Sequence, residues 1–120
     1  MKIAFSASGD SLESPIDPRF GRAKYFIIYD EINEKFEVIK NEQNLNAVQG
    51  AGIQSAQNLA KFGVECVVSG HFGPKAFKAL QFAGIKAFTC ESRTVNEALA
   101  QFKEKKLNEI NGPDTEGHWI

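Results

Sequence analysis

The sequence predicts one α/β domain, a mixed five-stranded sheet with helices on both faces, in the order βββαβαβα. Three observations lead there. The second half alternates short valine- and isoleucine-rich runs with helical patterns, which demands parallel strands joined by right-handed crossovers. The first half carries two strand patterns separated only by Glu31-Ile32-Asn33-Glu34, which reads as an antiparallel hairpin. Gly63, Gly70 and Gly84 fall where one element stops and the next begins.

Lys2–Ala7 is the first strand, with Ile3, Ala4 and Phe5 inside. The polar segment Ser8–Arg22 is long for a connection, and such connections tend to carry function or remain mobile. Pro15 and Pro18 stiffen it, and Phe20 is expected to pin it to the core. Tyr25–Asp30 is the second strand. Lys35–Lys40 alternates as a third, half-buried or edge strand, whose lysines and glutamate discourage pairing with another chain. After the polar linker Asn41–Gln49, a first helix runs from about Ala51 to Phe62 on the stripe Ile53, Ala56, Leu59 and Ala60.

The apolar run from Val64 to Ser69 is the fourth strand. It breaks at Gly70, and a helix restarts at Pro74, whose missing N–H costs nothing at the first helical position. Ala76, Phe77, Leu80 and Ala83 make the buried face of that helix. Ile85–Thr89 is the fifth strand. Thr94-Val95-Asn96-Glu97 is a capping box opening a third helix, with Val95, Ala98, Leu99 and Phe102 facing inward. Leu107 and Ile110 are expected to dock a short tail. Residues 1–110 are read as the domain, and residues 111–120 as a loose tail or one held by Trp119.

With 24% charged residues and a formal net charge of -1, the composition argues against nucleic-acid or acidic-membrane binding as the main task. No apolar leader and no membrane-spanning run is seen, so a cytoplasmic protein is expected. Cys66 lies in an apolar strand and reads as a core thiol, whereas Cys90 follows a strand near a turn and reads as exposed. Neither belongs to a CxxC spacing. No GxGxxG follows the first strand and no GxxxxGK[ST] occurs, which excludes the usual dinucleotide and phosphate loops.

Two groups of residues remain for a site. The first is Ser8, Gly9 and Asp10 with Arg19, Phe20, Gly21 and Arg22. Asp10 would serve a metal-dependent hydrolase only with further converging carboxylates. Asp17, Glu13 and Glu91 have no metal spacing, and Asp30 should lie at the other end of the sheet. The bland alternative is a polar turn capped by Asp10. Arg19 and Arg22 either meet an anion or pair with Glu13 and Asp17. The second group is His71 within Gly70-His71-Phe72-Gly73-Pro74. Its imidazole there ligates iron, acts as a base, or is a hydrogen-bonded loop histidine. Cys90 is placed to approach it from the next strand end. Gly50-Ala51-Gly52 and Gly73 open two helices whose unpaired N–H groups suit an anionic ligand. Asn44, Asn46 and Gln49 line the mouth of the first helix or cap its loop, and His118 sits in the tail.

Ser6-Ala7-Ser8-Gly9, Ile16–Ala23, Gly50–Ala56 and Ser69–Phe77 together resemble the dinitrogenase iron–molybdenum cofactor biosynthesis family. That family includes NifX-like proteins, NifY and the carboxyl-terminal part of NifB. Ala79-Leu80, Ala83-Gly84-Ile85-Lys86 and Thr94–Ala98 continue the match over about residues 1–107. The resemblance implies a ribonuclease H-like fold without the nuclease's acidic set. It implies a non-enzymatic binding or carrier protein for an iron–sulfur or iron–molybdenum cluster or precursor. The implied partner is a metallocluster donor or acceptor protein, with no nucleic acid and no membrane, and the chain is expected to be a monomer or weak dimer. On this reading Ser8, Gly9, Gly50, Gly52, Gly70 and Gly73 face the cluster. His71 and Cys90 supply metal ligands, and Arg19 and Arg22 offset negative charge. His71 aligns with the variable position of a Gly-x-x-Gly-Pro motif. The radical-chemistry cysteine motif of NifB's other part is missing, so synthesis of the precursor is not implied. The alternatives are a metal-dependent phosphoryl or nucleic-acid hydrolase on the same fold, or a regulatory interaction module with an apolar patch near Phe36 and Trp119.

Overall fold

In a computed structural model, residues 1–42, 50–91 and 93–112 are described. The sheet grows outward from β1 (Lys2–Ala7), which is buried from Ile3 onward. β2 (Tyr25–Asp30) pairs with it antiparallel, setting Lys2 opposite Asp30 and Ala7 opposite Tyr25. β3 (Lys35–Lys40) pairs with β2 and forms the outer edge. On the other side, β4 (Cys66–Ser69) and β5 (Lys86–Thr89) add in parallel. The carboxyl ends of β1, β3, β4 and β5 therefore share one end of the sheet, and Asp30 lies at the opposite end, as expected.

The expectation of five strands needs correction. A sixth strand, β6 (Asn108–Glu109), pairs antiparallel with β5 and completes the order β3-β2-β1-β4-β5-β6. The sheet thus departs from the five-stranded ribonuclease H-like expectation. A two-residue strand carries no periodic signal of its own, and only its pairing to Phe88 and Thr89 defines it. Leu107 packs on one face of the sheet and Ile110 on the other, which docks the segment.

Alternation along the strands divides the core. Ala4, Phe26, Ile28, Val67 and Ala87 meet α1 (Ala51–Lys61) and α2 (Pro74–Phe82) on one face. Ile3, Phe5, Ile27, Cys66 and Val68 meet α3 (Val95–Lys103) on the other. Phe20 is buried within a 3₁₀ turn, Phe20–Arg22, with its ring 5.4 Å from Phe26 and 5.3 Å from Phe72. This is the pin expected for the long loop.

Helix ends follow from local chemistry. α1 and α2 both stop at a left-handed glycine, Gly63 and Gly84. The Val64 and Ile85 amides then reach back to Leu59 and Leu80 carbonyls, satisfying groups the helices leave open. α3 ends the same way with a non-glycine residue, Lys105, at φ 59°. There the Lys105 amide bonds to Phe102 and the Lys106 amide to Gln101. At the start of α3 the Thr94 hydroxyl accepts from the Glu97 amide at 3.1 Å. The Glu97 carboxylate accepts from Arg93, one residue earlier than the reciprocal bond of a capping box. On α1 Ala60 is exposed and Ile53 only half-buried, while Ser55 is buried instead. Ala83 is the exposed cap of α2 and not part of its buried face.

Candidate functional site

The long β1–β2 loop is tied down from three sides. The buried Ser6 and Ser69 hydroxyls stand 2.8 Å apart, within 2.8 and 3.3 Å of the Asp17 carbonyl. That couples the ends of β1 and β4 to the loop. The first amides of α3, on Val95 and Asn96, donate to the loop carbonyls of Ser14 and Leu12. Backbone pairing of Arg19 with His71, and the Phe20 amide donating to the His71 carbonyl at 3.2 Å, fix the far end of the loop.

Four of the described glycines are crowded by neighbouring protein. A β-carbon on Gly21 would stand 2.8 Å from the Gly52 nitrogen, and one on Gly52 would stand 2.6 Å from the Ala76 β-carbon. Gly21, Gly52 and Ala76 therefore stack the 3₁₀ turn on the start of α1, and α1 on the start of α2. A β-carbon on Gly70 would stand 2.8 Å from the Pro18 α-carbon. Gly9 faces Ser14 in the same manner, and Ser8 bonds through its amide to the Pro15 carbonyl. Gly50 and Gly73 are the extended N-cap residues of α1 and α2.

His71 and Cys90 line one cleft. A cleft of about 550 Å³ opens at the carboxyl ends of β4 and β5. Gly70 and His71 after β4 line it together with Thr89, Cys90 and Glu91 at the end of β5. Gln101 of α3 and the segment Lys106-Leu107-Asn108 complete the lining. His71 is partly buried, and the Cys90 amide is held by the Ser69 carbonyl at 3.1 Å. Lys106 reaches Glu104 at 3.0 Å. This part of the lining was missed in the sequence because Lys106 reads as an ordinary cation at a helix end. Its placement comes from the left-handed turn at Lys105 and the pairing of β6. The readable signal was the odd spacing of Leu107 and Ile110, which puts apolar groups on opposite faces of an extended segment.

Other candidates lie elsewhere. Arg22 lines a separate groove of about 440 Å³ with Lys24, Tyr25, Lys40 and Asn41. Asp10 is exposed in the loop, and Asp17 accepts from the Arg19 amide at 2.9 Å. Among the described residues no group of three His, Cys, Asp or Glu side chains gathers as for a metal ion. Cys66 is a buried thiol, as expected, with its sulfur 3.7 Å from that of Met1. Burial pushes its thiol pKa up. Phe36 is partly exposed, and its ring lies 5.0 Å from that of Tyr29 in a tilted contact. Asn44, Asn46, Gln49, His118 and Trp119 lie outside the described residues. No helix among the described residues is long and apolar enough to cross a membrane.

The family model for the dinitrogenase iron–molybdenum cofactor matches residues 1–105. The chain belongs to this family, which is related to NifX and NifB. An uncharacterized protein of Methanocaldococcus jannaschii is 32% identical over 114 residues, covering 92% of each chain. The apo form of the orange protein of Desulfovibrio gigas is 40% identical, with TM-score 0.88 over 95% of this chain and 96% of that one. A Thermotoga protein provisionally assigned to NifB is 35% identical, with TM-score 0.83 over 97% and 98%. Phe20-Gly21, Gly50-Ala51-Gly52 and Gly73-Pro74-Lys75-Ala76 all fall within the matched range. In this member they hold the stacked starts of the 3₁₀ turn, α1 and α2.

Proposed function

We propose that this chain is a small carrier for an iron–sulfur or iron–molybdenum type cluster or its precursor, taken as cargo in the cleft at the ends of β4 and β5. The observation that carries the reading is that His71, which follows β4, and Cys90, which follows β5, line one cleft in a member of this family. Imidazole and thiolate both suit iron and related metals. Two such side chains are too few to cage a bare ion. A preassembled cluster brings its own bridging sulfides and needs only anchors. The cleft volume, about 550 Å³, falls within the roughly 300–1,000 Å³ of small-ligand sites. Lys106 offers a positive charge and Gln101 an amide to an anionic cargo, whereas Glu91 at the rim opposes it.

In this reading Arg19 lies beside the cleft through its pairing with His71. The glycines Gly9, Gly21, Gly52 and Gly70 serve packing, which gives the cleft a rigid frame. Residues 1–110 are read as the NifX-like unit, with helices on both faces of a sheet that β6 completes. The hydrolase alternative needs carboxylates converging on Asp10, which is exposed in the β1–β2 loop and does not line the cleft. No chemical step is required of the site, only uptake and release to a donor or acceptor protein. Anaerobic titration with a reconstituted iron–sulfur cluster tests this. Stoichiometric spectral change in the wild-type chain, weakened in His71→Ala and Cys90→Ser, is expected. No change in the wild-type chain would remove the reading.

A further inference from the structure

The groove holding Arg22 is a different place from the cleft, and its composition is unusual for this chain. Arg22, Lys24 and Lys40 converge there against the single carboxylate Glu42, in a protein whose formal net charge is -1. Among the described residues, none of these three cations has a carboxylate within ion-pair distance. Its walls are fixed. The Asn41 amide donates to the Lys24 carbonyl at 2.9 Å, and the Asn41 side chain donates to the Ala23 carbonyl at 2.8 Å. The Ser55 hydroxyl donates to the Asn41 side-chain oxygen at 2.9 Å, tying the groove to α1. The three cationic side chains are exposed on this fixed backbone and open to a partner.

Position adds the second argument. Tyr25 faces Lys40 and Ala7 in register, so the groove lies at the same end of the sheet as the cleft. Neighbouring strands are about 4.8 Å apart, so β3 and β5, four steps apart in the order, stand roughly 19 Å from each other. One small cluster does not span both. A protein surface laid across this end does.

We infer that the Arg22–Lys24–Lys40 groove is a docking site for an acidic segment of a partner protein, which thereby covers the neighbouring cleft. The meaning of the contact rests on the carrier reading, since a partner seated there is placed to deliver or collect cargo. A lone carboxylate gains little from exposed cations in water, on the order of 1 kcal/mol or less each. A chain bearing several carboxylates sums such contacts. A nucleic acid is the poorer match, because three cations neutralise few phosphates and the chain as a whole is negative.

The test is amide NMR of the full chain at low salt, with a hexaglutamate peptide as probe and a hexadeoxynucleotide of mixed sequence as its rival. Saturable shifts are expected at Lys24, Tyr25, Lys40 and Asn41, weakening as salt is added. The Lys24→Glu/Lys40→Glu variant should lose about tenfold or more in peptide affinity while retaining its cluster titration in the cleft. Peptide binding unchanged in that variant overturns the inference. So do peptide shifts confined to His71 and Cys90, tighter binding of the oligonucleotide, or loss of cluster uptake in the variant. If the wild-type chain takes no cluster, the carrier reading fails, and the peptide shifts still decide the groove.

Discussion

Replacing Gly52 by alanine tests whether this position is small because α2 presses on it. A β-carbon there would stand 2.6 Å from the Ala76 β-carbon and 3.2 Å from its α-carbon. Carbon atoms settle at about 3.5–4.0 Å, so α1 and α2 must part by about 1 Å. Overpacking of this kind costs about 1–3 kcal/mol. Against it stands the ordinary helical gain of glycine to alanine, about 0.5–1 kcal/mol. Gly52→Ala should therefore destabilise by roughly 1–2 kcal/mol, or lower the Tm by roughly 3–8 °C for a chain of this size. Ala76→Gly alone also destabilises, through lost helix propensity and a lost buried methyl, by about 1–2 kcal/mol. In that background the new methyl at position 52 fills the vacated space, so Gly52→Ala becomes neutral or stabilising. Urea denaturation of the four proteins, followed by circular dichroism at constant m-value, reads the coupling. A stabilising Gly52→Ala, equal in both backgrounds, would refute the packing explanation and reopen Gly52 as a ligand-facing position.

Four further outcomes are expected. Lys105 sits in the left-handed region at φ 59°, so Lys105→Gly should stabilise the chain by up to about 1 kcal/mol in the same denaturation assay. Thiol labelling in native buffer should modify Cys90 well before Cys66, whose thiolate is disfavoured by burial, with Cys66 reacting only on unfolding. The sign of that shift means the Cys66 contribution to stability is present below its unfolded pKa and is lost as pH rises through the raised folded value, readable as a falling urea midpoint at alkaline pH. Finally, Lys106 is shared between the cleft and Glu104. Lys106→Gln should weaken uptake of an anionic cluster by roughly 2–5-fold and Glu104→Gln should strengthen it slightly, both effects shrinking with salt.

Much of the fold was legible because its elements obey strong local rules. β1, β2 and β3 stand at the residues where alternation and apolar runs place them. α2 starts at Pro74, and Thr94 caps α3. β6 was not legible, since two residues gain their strand character only from a neighbour fixed by the rest of the chain. The site divided along the same line. His71 and Cys90 follow strand ends and so could be placed together from topology alone. Gly52 looks like an opening for a ligand, because a sequence shows that a position is small but not what approaches it. The approach comes from Ala76, a residue distant in the chain. Sign of charge alone places Arg22 with the cleft, whereas its position at the end of the 3₁₀ turn, just before β2, puts it in the groove with Lys24 and Lys40.

The central claim is that His71 and Cys90 anchor a metallocluster in one cleft. Its most direct measurement is anaerobic titration of the chain with a reconstituted iron–sulfur cluster, monitored by visible circular dichroism and by metal and sulfide analysis after gel filtration. Retention of one cluster per chain is predicted, with optical activity imposed by the cleft. Weakened retention is predicted in His71→Ala and in Cys90→Ser, and nearly complete loss in the double variant. A wild-type chain that emerges without metal or sulfide, or a double variant that holds the cluster as tightly as the wild type, would contradict it.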